Sequence, residues 1–283
     1  MSVRGYHPHT GRLNTLTTTG STAAKVLDLT YQYWDDGTVK EVTDRAVSPT
    51  RTETFGYDAA HRLTDWDLTR GTSTVATDYH YSPDGNLTTT DKDGTTAQTN
   101  SYTHTDHPHA VSTVTVGTQT SVAYGYDEAG RQTSADSRRH TYASLGILPA
   151  TVSLGANKTW TLTYDAAGQR FTKAMGTTRT TYVAGLYEKR ATSSGTSHVF
   201  HVGGPEGPVA DITYTASGQS TGYLHTDRLG SVTAVAPDTG SAAQRFHYEP
   251  FAPGAMRTEL RTTVPSPPRA TASRGMSTTT SWV

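Results

Sequence analysis

Tyr126-Asp127-Glu128-Ala129-Gly130-Arg131 and Tyr164-Asp165-Ala166-Ala167-Gly168-Gln169 are two copies of one phrase. An aspartate in first position and a glycine in fourth suit a type I turn: the carboxylate accepts backbone amides two residues on, and the glycine takes the positive φ that follows. Tyr57-Asp58-Ala59-Ala60-His61-Arg62-Leu63 and Tyr81-Ser82-Pro83-Asp84-Gly85-Asn86-Leu87 are variants of it. In the second, Pro83 already has the φ that its position needs. In the first, His61 stands where glycine is expected, so it must either tolerate a left-handed backbone or alter the turn. Tyr33-Trp34-Asp35-Asp36-Gly37, Tyr102-Thr103-His104-Thr105-Asp106 and Tyr214-Thr215-Ala216-Ser217-Gly218 read as weaker copies. Tyr33 to Tyr57, Tyr57 to Tyr81 and Tyr102 to Tyr126 are each a step of 24 residues, room for two strands and two connections. Each unit is therefore a hairpin.

Working outward from the turns, the preceding residues alternate. Trp160, Leu162 and Tyr164 are separated by threonines, and Val122, Tyr124 and Tyr126 by Ala123 and Gly125. That is the period of a strand with one buried face. Tyr31/Tyr33, Tyr79/Tyr81 and Phe246/Tyr248 keep the same phase, while Val114-Thr115-Val116 and Val199-Phe200-His201-Val202 supply further strands. The repeat tyrosine lies in phase with the apolar side, so its ring should cover the turn and its hydroxyl reach a backbone group or water. No stretch has helical periodicity. Threonine is the most frequent residue and tyrosine occurs 16 times; both suit a pleated, half-buried surface. Large aliphatics are too few to fill a thick interior at normal density, so the expected fold is all-β sheet with a thin apolar layer, wrapped around a wet cavity or stacked in series.

Composition also excludes. A formal net charge of −1 gives no field for nucleic acid or anionic lipid. There are no cysteines, so disulfides contribute nothing. No apolar run is long enough to span a membrane as a helix, and Met1-Ser2-Val3-Arg4 is not followed by the apolar stretch of a signal peptide.

Tyr223-Leu224-His225-Thr226-Asp227-Arg228-Leu229-Gly230-Ser231-Val232-Thr233-Ala234-Val235, followed by Phe246-His247-Tyr248-Glu249-Pro250-Phe251, carries a more specific signal. It resembles the end of the core of Rhs and tyrosine-aspartate (YD) repeat proteins, large bacterial chains related in this module to the teneurins of animals. Tyr182-Val183-Ala184-Gly185-Leu186-Tyr187-Glu188 resembles a stretch just upstream in that family. With the repeats, the resemblance covers roughly residues 5 to 251. It implies antiparallel hairpins joined edge to edge into a spiralling β-shell. In the intact proteins that shell encloses a C-terminal toxin or other cargo domain, delivered by a secretion apparatus or at the cell surface and in some cases matched by an immunity protein. The expected organisation is a YD-repeat, Rhs-core segment over residues 1–251 and a disordered tail over 252–283.

The tail departs from the family. Past Phe251 the family continues through a phenylalanine-threonine-glycine-histidine phrase, acidic residues and an aspartate-proline cleavage motif before the cargo. Here the text is rich in Pro, Thr, Ser and Arg instead. One hypothesis is an out-of-frame tail: Ala272 to Val283, back-translated with suitable codons and read two bases on, gives Phe-Thr-Gly-His-Glu-His-Asp-Asp-Glu-Leu-Gly. Sequencing the gene tests it, and incompatible codons would end it. The chain is then a truncated remnant without cargo. Gly5-Tyr6-His7-Pro8-His9-Thr10-Gly11-Arg12-Leu13 reads as a repeat turn already under way at the other end.

Candidate chemistry is sparse. His104, Asp106, His107 and His109 place three imidazoles and a carboxylate within six residues, a spacing that raises metal binding, but they fill the turn slot after Tyr102 and exposed turn histidines account for them. His198 and His201 fall on opposite faces of a strand. His225, Asp227 and Ser231 have the types of a nucleophilic triad without anything to orient a base on a nucleophile. Glu206 and Asp211 have a glycosidase pair's spacing alone, and Gly203-Gly204-Pro205-Glu206-Gly207-Pro208 is a turn with no lysine or helix to make a phosphate loop. The reading is thus of no catalytic, cofactor-binding or metal site: a non-enzymatic wall whose partner is the cargo, secreted or at the cell surface in the intact protein. The rival is a carbohydrate- or cell-surface-binding β-repeat module, whose exposed Tyr and Trp would stack on sugars.

Overall fold

A computed structural model describes residues 2–20, 24–143, 146–155 and 158–251, together with the backbone of 257–258. The expected tail over 252–283 otherwise lies outside the described residues. All regular structure among them is β-strand, and every recorded pairing is antiparallel. In chain order the strands are β1 (Ser2–Tyr6), β2 (Leu13–Thr19), β3 (Lys25–Tyr33), β4 (Val39–Asp44), β5 (Arg51–Tyr57), β6 (Leu63–Arg70), β7 (Ser73–Tyr81) and β8 (Leu87–Lys92). Next come β9 (Thr95–Ser101), β10 (Thr113–Val116), β11 (Val122–Tyr126), β12 (Gln132–Ala135), β13 (Arg138–Tyr142), β14 (Pro149–Leu154), β15 (Thr159–Tyr164) and β16 (Arg170–Met175). The last are β17 (Thr178–Val183), β18 (Tyr187–Thr192), β19 (Gly195–Gly204), β20 (Gly207–Thr215), β21 (Gly218–Thr226), β22 (Val232–Pro237), β23 (Gln244–His247) and β24 (Arg257–Thr258).

The chain forms two compact units. One comprises Met1–Gly56, Trp66–Thr74 and Phe200–Val283; the other comprises Tyr57–Asp65 and Val75–Val199. In the second, strands follow one another as hairpins from β7 to β18, each hydrogen-bonded to the next. Its buried apolar residues are dispersed: Tyr79, Ala135, Val152, Leu162 and Val199. The alternation read before Tyr164 is realised there, with Leu162 buried and Thr159, Thr161 and Thr163 exposed. This is the thin apolar layer that a threonine-rich chain dictates.

The first unit contains the ladder β1 to β5 and the ladder β20 to β24. Its core is denser. Leu16, Val26, Leu27, Leu29 and Tyr31 pack with Ala234 of β22, so strands from both ends of the sequence share one apolar layer. Arg245 of β23 donates to the carbonyl oxygens of Val26 at 2.7 Å and Lys25 at 3.1 Å, satisfying the rim of that layer.

Two of the weaker phrases differ from expectation. Tyr214 and Thr215 lie within β20, and the connection to β21 is a two-residue hairpin with Gly218 at φ 133°. Without an aspartate to tie the amides of a four-residue turn, the Thr215 hydroxyl accepts the Ser217 amide instead. After Tyr102 the chain runs through a loop to Thr113 that is longer than a corner; Ser112 Oγ ties it together by accepting the Thr103 amide and donating to the Ser101 carbonyl.

Candidate functional site

The recurring chemical unit is the tyrosine corner. At Asp127 the carboxylate Oδ1 accepts the amides of Ala129 at 3.1 Å and Arg131 at 2.9 Å, the Gly130 amide donates to the Asp127 carbonyl, and Gly130 has φ 73°. Asp165 does the same with Ala167 and Gln169, and Asp58 with Ala60 and Arg62. His61 resolves its ambiguity by taking φ 59°, keeping the corner intact. At Ser82 the hydroxyl replaces the carboxylate and accepts the Asn86 amide at 3.2 Å. Asp227 builds an equivalent corner after Thr226, accepting the amides of Leu229 and Ser231.

Each corner is a type I turn closed by a left-handed residue, the arrangement that introduces a bulge into a hairpin. The pairing register slips at the residue before the turn at Gln32/Tyr33, His80/Tyr81, Gly125/Tyr126, Thr163/Tyr164 and His225/Thr226. The slip frees the tyrosine to lean over the neighbouring strand. Its hydroxyl then donates to a carbonyl where that strand begins: Tyr33 to Leu13, Tyr81 to Leu63, Tyr126 to Val111, Tyr164 to Pro149 and Tyr248 to Val232, all between 2.8 and 3.0 Å. Burial raises the phenol pKa of Tyr81, Tyr126, Tyr164 and Tyr248, so these hydroxyls keep their protons for donation.

Arginine at the corner's exit completes the link. Arg62 Nε lies 2.6 Å from Asp58 Oδ2 while its guanidinium sits 4.7 Å from the Tyr81 ring centre. Arg131 repeats this with Asp127 at 2.7 Å and Tyr142 at 4.7 Å. Each of these corners is thereby tied to a tyrosine further along the chain. The hydroxyl destination was open in the sequence to backbone or water; the arginine bridge and the register slip were missed, although arginine at the sixth place of the phrase was the available signal.

The first unit also encloses a buried charge cluster that no sequence motif announced. Glu53 Oε2 accepts the Trp66 indole N–H at 3.1 Å, and Oε1 lies 3.3 Å from Arg51 Nε and 3.3 Å from His247 Nε2. Arg51 also reaches Asp44 at 3.7 Å, and the Trp66 and His247 rings stack with centres 6.1 Å apart. Burial pushes the Glu53 carboxyl up, but His247, Arg51 and Trp66 more than offset it and hold the pKa below the ordinary value.

The residues weighed for chemistry do not converge. His107 faces the Asp127 carbonyl at 3.1 Å, His109 bonds Asn86 Oδ1 at 2.8 Å, and His104 sits edge-on to Tyr126. His104 and His107 are half-buried in the long loop, which corrects their reading as exposed turn histidines. His198 bonds the Tyr187 hydroxyl, and His201 bonds Asp211 at 2.6 Å. Glu206 pairs with Arg4, so Glu206 and Asp211 have separate partners. Asp227 uses Ser231's amide rather than its hydroxyl, and burial lowers the His225 pKa and raises that of Asp227. Gly203 to Pro208 form a hairpin tip between β19 and β20. Among the described residues no three His, Asp or Glu side chains gather as metal ligands.

The teneurin YD-shell family model matches residues 9–256. The chain belongs to that family. No curated protein matches the sequence closely enough to add a relative. Among solved structures, this YD-shell chain is similar to the crystal structure of TcdB2-TccC3-TEV (TM-score 0.70, 17% identity, 88% of this chain and 14% of that one). It is similar also to the Photorhabdus luminescens Tc holotoxin pore (0.68, 17%, 88% and 14%) and to TcdB2-TccC3 (0.68, 16%, 88% and 15%). At these identities the likeness establishes the fold, and the YD-shell segment spans about one seventh of the chains it matches.

Proposed function

We propose that this chain is wall: a segment of an Rhs-type shell that houses a C-terminal toxin or other cargo domain, with a passive, non-catalytic role and a place of action outside the producing cell. The observation that carries the reading is the tyrosine corner. Its bonds are spent on joining successive hairpins, so the repeated side chains with the richest chemistry are consumed in building sheet rather than presented to a substrate. A threonine-rich sheet with one thin apolar layer supports it further, because the wall of a wet chamber needs polar side chains on its inner side. The TcdB2-TccC3 structures support the fold of such a wall. No helix among the described residues is long and apolar enough to cross a membrane.

The test is protease protection of the polypeptide expressed from its native locus together with the coding sequence that follows. A carboxy-terminal fragment that survives protease while the wall is folded, and is degraded once the wall is unfolded, is the expected result. Degradation of that fragment at equal rates in both states overturns the cargo reading.

A further inference from the structure

The first unit holds a pocket of about 480 Å³ lined by Arg4, Arg12, Arg228, Glu206, Asp227 and Tyr6, among others. Its size falls in the range of small-molecule sites (roughly 300–1,000 Å³) and exceeds what one side-chain carboxylate fills. The charges in it are unequally used. Arg4 pairs with Glu206. Asp227 Oδ1 is occupied by its own corner's amides. Arg12 and Arg228 make no ion pair among the described residues.

Comparison with the other corners explains why Arg12 is free. Arg62 and Arg131 each close on the aspartate that opens their turn. The turn before Arg12 opens with His7, is one residue longer, and is tied by backbone bonds from Gly11 to His7 and from His7 to Arg12. With no carboxylate in that slot, the guanidinium rests 5.7 Å from the Tyr33 ring centre and against Gly37, its hydrogen-bonding edge unspent. Gly37 has φ 95°, which favours glycine, and a Cβ there would meet the Arg12 guanidinium at 2.3 Å and push it from its present place. Arg228 is exposed beside the half-buried Asp227, whose carboxyl burial pushes up and the Arg228 charge draws partly down without a close ion pair. Tyr6, 56% exposed, presents an open aromatic side chain on the same pocket.

We propose that this pocket binds an anionic saccharide unit, its carboxylate taken by the unpaired forks of Arg12 and Arg228 and its ring lying against Tyr6. Planar guanidinium groups match a carboxylate bidentately, and a tyrosine face suits the apolar face of a pyranose. The inference goes beyond the wall reading and does not rest on it.

The test titrates the full 283-residue chain with sodium glucuronate, glucose and inorganic phosphate, following Tyr6 and Tyr33 ring resonances or heat. Glucuronate should bind saturably, with glucose and phosphate each weaker by about tenfold or more, since each lacks either the charge or the ring. R12K, which keeps the charge but loses the fork, should weaken glucuronate by about tenfold, and R12A/R228A should abolish it. R62A removes an arginine already paired within its own corner and should leave binding unchanged. Far-ultraviolet circular dichroism of each variant separates lost binding from lost fold. Equal affinity for glucose or phosphate, or undiminished glucuronate binding by a folded R12A/R228A variant, overturns the proposal.

Discussion

At the scale of single residues, the corner aspartates concentrate the most bonds into the fewest atoms, and they do so in the ionised form. Amides and arginine hold the carboxyls of Asp58 and Asp127 below the ordinary carboxylate range. At Asp58 the Arg62 amide contributes most; at Asp127 burial pushes upward and the amide and guanidinium of Arg131 more than offset it. A carboxyl whose folded pKa lies below its unfolded value of about 3.9 stabilises the fold above that pH and loses the contribution as pH falls through the folded value. Acid should therefore loosen the corners below about pH 4. Glu53 acts in the same direction, whereas the raised Asp227 acts in the opposite one, its stabilisation lost as pH rises through its folded value. The D58N/D127N variant should melt lower than the parent at pH 7 and lose less of its melting temperature between pH 6 and pH 3. Parallel melting-temperature profiles for the two proteins would show that the corner carboxylates do not drive acid sensitivity.

Among the elements, strands differ in how much they bury even though their sequences share one texture. β3 contributes Val26, Leu27, Leu29 and Tyr31 to a core that also takes Leu16 and Ala234, while β10 leaves Val116 43% exposed. Truncating a buried leucine costs both its transfer energy and a cavity. L27A should then cost about 2–5 kcal/mol in urea unfolding, against about 0.5 kcal/mol or less for V116A; similar values for the two would mean that β3 is not the core strand. Strands and corners were legible because their signals are local: period two, and aspartate to glycine over four positions. Tyr214 misled for the same reason, since a glycine after Thr215-Ala216-Ser217 serves a two-residue hairpin as readily as a corner and only the missing aspartate distinguishes them. The register slip at each tyrosine has no letter of its own. It follows from how the turn closes.

For the molecule as a whole, what escaped the sequence is whatever joins residues far apart in the chain. Glu53, Trp66 and His247 carry no mutual spacing, and only folding of the first unit places an indole, an imidazole and two arginine-linked carboxylates in one dry cluster. The free Arg12 was equally hidden, because its meaning lies in a partner that other corners have and this one lacks. The charge cluster ties β23 to strands nearly two hundred residues earlier, and its geometry makes it sensitive to the loss of one member. Removing the charge of Glu53 would take from buried Arg51 one of its two carboxylates and leave Asp44 at 3.7 Å as the other, so the loss should lie at or below the about 3–5 kcal/mol of a buried pair broken from one side. E53Q preserves shape and, with its carbonyl toward Trp66, that acceptor, but turns an NH2 toward Arg51 and His247, so the cost should come from the lost charge and the lost acceptor together. Urea unfolding should register that loss, and amide exchange in β23 should quicken more than in β2, whose contacts to β3 do not involve the cluster. An E53Q protein within about 1 kcal/mol of the parent would mean that water already reaches these groups and screens them, and that the apolar layer shared by β3 and β22 holds the two ends of the first unit together without electrostatic help.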